Sequence, residues 1–225
     1  VQTARWRLIL ALPEPLPFWR AFGLLMIGYF GNVTLPLRFG DLLRAALVHR
    51  VQPGATPLAL TSLVVERLLD VLGILVYGAI VVSQVALPAA VKAGLTTFVV
   101  IAAVAVVALV VAAKSGEALL DRLGWLLDKL GEPRAERVRG WLRGLIKGLD
   151  AVTSLRRVAL LVVISVGQWL LVAVSMVLVV TAFDLDLPWT AGLLLMVVTN
   201  LGSAVPSAPA SIGVFHGLGV LALAV

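Results

Sequence analysis

The chain of 225 residues has no cysteine, two histidines and only 13% charged residues, and each shortage removes a class of function. Without cysteine there are no disulfides, thiolate metal sites or cysteine nucleophiles. His49 and His216 cannot build a multi-histidine metal centre by themselves. So little charge, beside 61% hydrophobic residues, leaves too little polar surface to cover a water-soluble particle. A nucleotide-binding glycine loop, a nucleophile elbow and a zinc signature are also missing, so no cofactor, metal or catalytic residue is expected. The opening residues, with Arg5-Trp6-Arg7, lack the apolar core and small-residue cleavage site of a signal peptide.

Long uncharged runs stand where the charge is missing. Residues 94–113 and 158–183 carry no charged side chain and are long enough to span a bilayer. A third run covers about 71–91, between Asp70 and Lys92, and its helix is expected to begin earlier, near Pro57. The predicted fold class is therefore all-α, a polytopic transmembrane helical bundle. Eighteen Lys and Arg against 12 Asp and Glu lie mostly between the apolar runs, so the excess of basic residues reports membrane topology and not a nucleic-acid partner.

Residues 114–157 hold ten Lys or Arg and six acidic residues, which puts this segment in the cytoplasm. Counting spans outward places Lys92, Asp184 and Asp186 outside, and Arg44, His49 and Arg50 inside. Within the basic segment, Leu119, Leu123, Leu126 and Leu130, then Val138, Trp141, Leu145 and Leu149, recur at helical spacing on either side of Gly131-Glu132-Pro133. Two cytoplasmic amphipathic helices on the inner leaflet are predicted, serving as a connector or as a docking surface.

Two blocks do not read as simple spans. The apolar stretch 21–37 is flanked on both sides by arginines and is interrupted by Gly28, Gly31, Asn32 and Pro36. A re-entrant hairpin satisfies both facts. The second block is interrupted by Asn200, Gly202, Ser203, Pro206, Ser207 and Pro209. Pro36 to Gly40 and Pro209 to Gly213 share a Pro-x-x-x-Gly pattern with an asparagine upstream, Asn32 or Asn200. Since the two blocks enter from opposite sides, they suggest an inverted repeat. The chain then reads as one transmembrane domain, 1–225, with broken elements at 18–50 and 190–225. Spans occupy 57–91, 94–113 and 158–183, and a connector occupies 114–157. It reads as an excerpt missing both termini.

Ionisable groups inside a membrane are costly and so are functional candidates. Glu66 and Asp70, four apart, share a helix face, and Arg67 is spaced to pair with Asp70. Two neighbouring carboxylates suit a coupling proton or a cationic head group; the alternative is that all three merely pair at the cytoplasmic interface. Arg38, Asp41 and Arg44 follow the first break, where a helix starting near Gly40 would turn free N–H groups toward an anion such as a phosphate. Arg38 and Arg44 read equally as markers of orientation. Asn32, Asn200 and Ser207 either line a polar cavity or satisfy backbone groups exposed by the breaks.

Taken in order, four strings resemble the flippase-like family of integral membrane proteins, the transmembrane region of lysylphosphatidylglycerol synthase. They are Arg5-Trp6-Arg7, Gly31-Asn32-Val33-Thr34-Leu35-Pro36-Leu37-Arg38-Phe39-Gly40-Asp41 with Arg44, Val65-Glu66-Arg67-Leu68-Leu69-Asp70, and Pro206-Ser207-Ala208-Pro209-Ala210-Ser211-Ile212-Gly213-Val214-Phe215. The resemblance implies a multi-pass protein of the cytoplasmic (inner) membrane, with roughly two helices before Val1 and one or two after Val225. It implies membrane lipids as partners and, in some members, a glycosyltransferase or other lipid-modifying enzyme. The last string departs from the family pattern, with His216 where a glutamate is usual. The expected function is a lipid translocase. The alternatives are a membrane subunit or enzyme acting with a glycosyltransferase on polyprenyl-phosphate carriers, and a non-transporting scaffold.

Overall fold

A computed structural model describes residues 1–10, 12–35, 39–84, 132–149, 154–185, 187–203 and 211–223, with scattered positions between 89 and 118. Every regular element among them is an α-helix. In chain order they are α1 (Gln2–Ile9), α2 (Phe18–Thr34), α3 (Phe39–Val51), α4 (Thr56–Gln84), α5 (Glu132–Gly148), α6 (Leu155–Ala182), α7 (Trp189–Ser203) and α8 (Val214–Leu223).

Prolines set several boundaries. Pro17 precedes α2, and Leu35, which precedes Pro36, is already extended at φ −96 and ψ 146, as the residue before a proline prefers. Pro57 sits in the first turn of α4 and Pro133 in that of α5, where a missing N–H costs nothing. The Gly131-Glu132-Pro133 breaker thus marks where a helix starts. Between α3 and α4 the chain turns through Gly54 at φ 85, and the Gly54 N–H donates to His49 Nδ1 at 3.3 Å.

Helix length sorts the elements against a hydrocarbon core of about 30 Å. At about 1.5 Å per residue, the 29 residues of α4 extend roughly 43 Å and the 28 of α6 roughly 42 Å. Among the described residues, α6 alone is long and apolar enough to cross a membrane by composition. Its outer face leaves Leu155, Val163, Leu171 and Leu178 more than half exposed, as a lipid-facing helix requires. By the same measure α2 reaches about 25 Å and α3 about 20 Å, so neither crosses alone. They fold into a hairpin instead. A Cβ on Gly40 would collide with the Gly28 carbonyl and the Asn32 N–H, and one on Gly31 would lie 2.7 Å from Gly40 Cα, so the crossing requires glycine.

Two lobes flank α4. One gathers Trp6, Leu10, Leu24, Leu25, Ala45 and Val48 from α1 to α3 with Ala59 of α4. The other gathers Ile74, Tyr77 and Val81 of α4 with Trp169 and Ala173 of α6, Leu193 to Val197 of α7, and Ala222 of α8. A smaller cluster of Ile9, Val65, Leu69, Leu149 and Leu161 closes the space between them.

The structure sharpens several expectations. The helix expected near Pro57 begins at Thr56 and is described to Gln84; residues 85–88, 90 and 91 of the 57–91 span lie outside the described residues. Most of 94–113 also lies outside them, and its described positions, such as Val100, Val104 and Val111, are helical and exposed. Of the two amphipathic helices only the second is described, the stripe from Leu119 to Leu130 lying outside. That second helix, α5, lies against the start of α4, and its apolar stripe is not left wholly to a leaflet. A Cβ on Gly144 would come 2.8 Å from Pro57 and one on Gly148 2.6 Å from Thr61, and the Thr61 hydroxyl lies 3.0 Å from the Leu145 carbonyl. The exposed side of α5 presents Arg137, Arg143, Lys147 and Trp141.

The two Pro-x-x-x-Gly patterns do different local work. Gly40 is inside α3 and is demanded by close packing, whereas Gly213 precedes α8 at φ 90, a left-handed conformation with open space around it. Pro36, Arg38, Pro206, Ser207 and Pro209 lie outside the described residues.

Candidate functional site

Six charged side chains from three helices meet between the two lobes. On α4, Glu66 is buried and Asp70, one turn further on, is nearly so. Arg44 of α3 reaches Glu66 with Nη2 2.6 Å from Oε2. From α1, Arg5 approaches both carboxylates, 2.8 Å from Asp70 and 3.6 Å from Glu66. Its other Nη donates to Ser165 Oγ of α6 at 3.2 Å, so this one guanidinium ties α1, α4 and α6 together. At the rim, Arg67 pairs with Asp41 of α3 at 2.5 Å and lies 3.7 Å from Asp70. Three guanidinium groups therefore balance three carboxylates.

Neutrality matters here because an unpaired charge in a low-dielectric interior is very costly, whereas a closed network holds its charges in place. The network is graded from the surface inward. The Arg67 side chain is 46% exposed, that of Asp41 17%, and that of Arg5 only 1%. Trp6 backs the inner end, its ring centroid 4.7 Å from the Arg44 guanidinium and its indole N–H donating to Ser62 Oγ at 3.1 Å. Arg5 and Arg44 each keep a buried Nε–H with no hydrogen-bond partner among the described residues.

Asn32 joins the network across the first break. Its amide donates from Nδ2 to Asp41 Oδ1 at 2.9 Å, and its Oδ1 accepts the Asp41 backbone N–H at 3.1 Å. That N–H belongs to the first turn of α3, which has no carbonyl of its own helix to bond. One side chain thus caps α3 and fixes the carboxylate that holds Arg67. Asn200 is used differently: on α7 it donates to the Met196 carbonyl of its own helix at 2.8 Å.

Of the residues singled out from the sequence, Asn32, Asp41, Arg44, Glu66, Arg67 and Asp70 come together in this one network. Asn200 belongs to the other lobe, and Arg38 and Ser207 lie outside the described residues. In the sequence Arg5 stands only among the arginines that precede the first apolar block; the structure buries it at the centre. The remaining signal for it was its place beside Trp6 in one of the four ordered strings. Among the described residues no group of His, Cys, Asp or Glu is arranged to hold a metal ion. His216 packs edge-on against Phe215, with ring centroids 6.0 Å apart.

No curated protein and no solved structure matches the chain. The family model of the lysylphosphatidylglycerol synthase TM region matches residues 1–225, so this buried charge network is set in a chain that belongs to that family, a membrane protein family concerned with lipids.

Proposed function

We propose that the chain is the core of a lipid translocase of the cytoplasmic membrane, and the depth of its charge network is the observation that carries this reading. Glu66 and Asp70 are ten and 14 residues beyond Thr56, about 15 and 21 Å along a helix of roughly 43 Å. Charge at mid-helix in a bilayer marks substrate or ion paths far more often than anchoring. Arg67, exposed and bonded to a capped carboxylate, is the cation that a phosphate can reach. In this reading the lipid phosphate displaces Asp41 from Arg67. Glu66 and Asp70 then receive a cationic head group or a coupling proton. Arg44 contributes by holding Glu66, since the two neutralise each other.

The α2–α3 hairpin is read as re-entrant, because neither helix crosses alone and both lie beside a polar network. Rocking of the lobe of α1 to α3 against the lobe of α6 to α8, about α4, would expose the network to one side and then the other. The test is reconstitution of the full-length protein in liposomes with fluorescent phospholipids in one leaflet. The expected result is faster transfer of a phosphate-bearing lipid to the other leaflet than in protein-free vesicles. Equal rates for every anionic, zwitterionic and aminoacylated lipid tried would overturn the proposal.

A further inference from the structure

Beyond Asp70, the same stripe of α4 opens into an apolar cleft of about 300 Å³ between α4 and α7. Ile74, Gly78 and Val82 line it from α4 and Val197 and Leu201 from α7, and Lys92, an exposed residue, lines it as well. Helical spacing puts Arg67, Ile74, Gly78 and Val82 on one side of α4, so the charge network and the cleft follow each other along a single track.

Gly78 is the informative residue. A glycine inside a helix weakens it, and close packing or a positive φ usually explains its presence. Neither applies here: a Cβ on Gly78 would meet only Val197 Cγ1, at an ordinary 3.8 Å. By contrast, Gly73, five residues earlier, lies directly under the Trp169 ring. What Gly78 provides is the cleft itself. A methylene needs about the volume of a water, roughly 30 Å³, so the cleft takes on the order of ten of them. Among the described lining residues its polar handle is Lys92, because the hydroxyls there are spent on their own helices, Ser83 donating to the Ile80 carbonyl at 2.7 Å and Thr96 to that of Lys92 at 2.9 Å.

We infer that this cleft holds one acyl chain of a phospholipid with an anionic head group, the head group resting on Lys92. Bilayer tails are interchangeable in an apolar groove, so selectivity comes from the lysine and not from the chain. The site builds on the lipid reading of this chain but needs no transport. It adds a lysine to the arginines of the track, at the end of α4 remote from α5.

The test is photolabelling at equilibrium. Full-length protein in liposomes with equal amounts of diazirine-tailed phosphatidylglycerol and phosphatidylcholine is irradiated, and adducts on residues 74–83 are quantified by mass spectrometry. The exposed face of α6 around Val163 and Leu171 serves as the internal standard for bulk lipid. Phosphatidylglycerol adducts should exceed phosphatidylcholine adducts about fivefold over that standard, the preference one interfacial lysine gives an anionic head group. Lys92→Gln, at an exposed position, should remove the preference, and Gly78→Leu should remove adducts with both lipids from this segment while leaving those on α6. Equal labelling by both lipids in the wild type, or a preference that survives Lys92→Gln, would overturn the inference. Displacement of the phospholipid by a small fraction of oleate would overturn its assignment to a phospholipid. A protein that labels as expected yet moves no lipid would refute the translocase reading and leave this site standing.

Discussion

Replacing Arg44 by methionine tests whether the network is held by charge balance. Methionine keeps much of the side-chain volume and removes the cation, so the change isolates the ion pair from the packing against Trp6. Glu66 would lose its 2.6 Å partner and keep only Arg5, 3.6 Å away and already engaged at 2.8 Å with Asp70. Two cations would then face three carboxylates in a buried site. Breaking a buried pair from one side costs about 3 to 5 kcal/mol, so Arg44→Met should lose stability on that scale. The double variant Arg44→Met with Glu66→Met leaves Arg5 and Arg67 facing Asp41 and Asp70. It should recover most of the loss, since neutral replacement of a buried pair is often tolerated. Arg67→Met, at the exposed rim, should cost about 1 kcal/mol or less. Midpoints of denaturant unfolding in detergent, arranged as a double-mutant cycle, give the coupling directly. If Arg44→Met costs no more than Arg67→Met, or the double variant is as unstable as the single, the charge-balance reasoning is refuted.

Three further predictions follow from the packing. Gly40→Ala pushes a methyl group into the Gly28 carbonyl and should destabilise the α2–α3 hairpin by about 1 to 3 kcal/mol, whereas Gly78→Ala should be near neutral; thermal midpoints compare them. Asn32→Ala removes a cap and should cost about 1 kcal/mol, with faster amide hydrogen exchange at the start of α3. Gly148→Leu should lift α5 from α4 and expose the segment around Leu145 to protease, while Gly140→Leu, with open space around the glycine, should leave the cleavage pattern unchanged.

Much of the site was legible because part of it is local. Glu66 and Asp70 sit one turn apart, and the Arg67 to Asp70 contact follows from i,i+3 spacing on a helix whose start Pro57 announces. Arg5 was not legible in the same way. Its partners are 61, 65 and 160 residues away, and it lies on an eight-residue helix too short to show a pattern. A topological reading treats such a basic residue as a flank; only tertiary packing makes it a centre. Asn32 stands out as a polar residue in an apolar block, but its role depends on Asp41, nine residues on and across a break. The docking of α5 was written in Gly144 and Gly148, four apart, which is the spacing that lets two helices approach closely. The basic residues Arg137, Arg143 and Lys147 lie on the exposed side of that helix instead.

The central claim is that the exposed arginine of the network handles the lipid phosphate, and the most direct measurement is the leaflet-transfer rate of a labelled phospholipid by full-length protein carrying Arg67→Ala. The control is Arg7→Ala, which removes an exposed arginine of α1 outside the network. The account predicts that Arg67→Ala slows transfer about tenfold, the effect of losing one charged hydrogen bond of about 1.4 kcal/mol, while Arg7→Ala matches the wild type. Wild-type transfer by Arg67→Ala would contradict it.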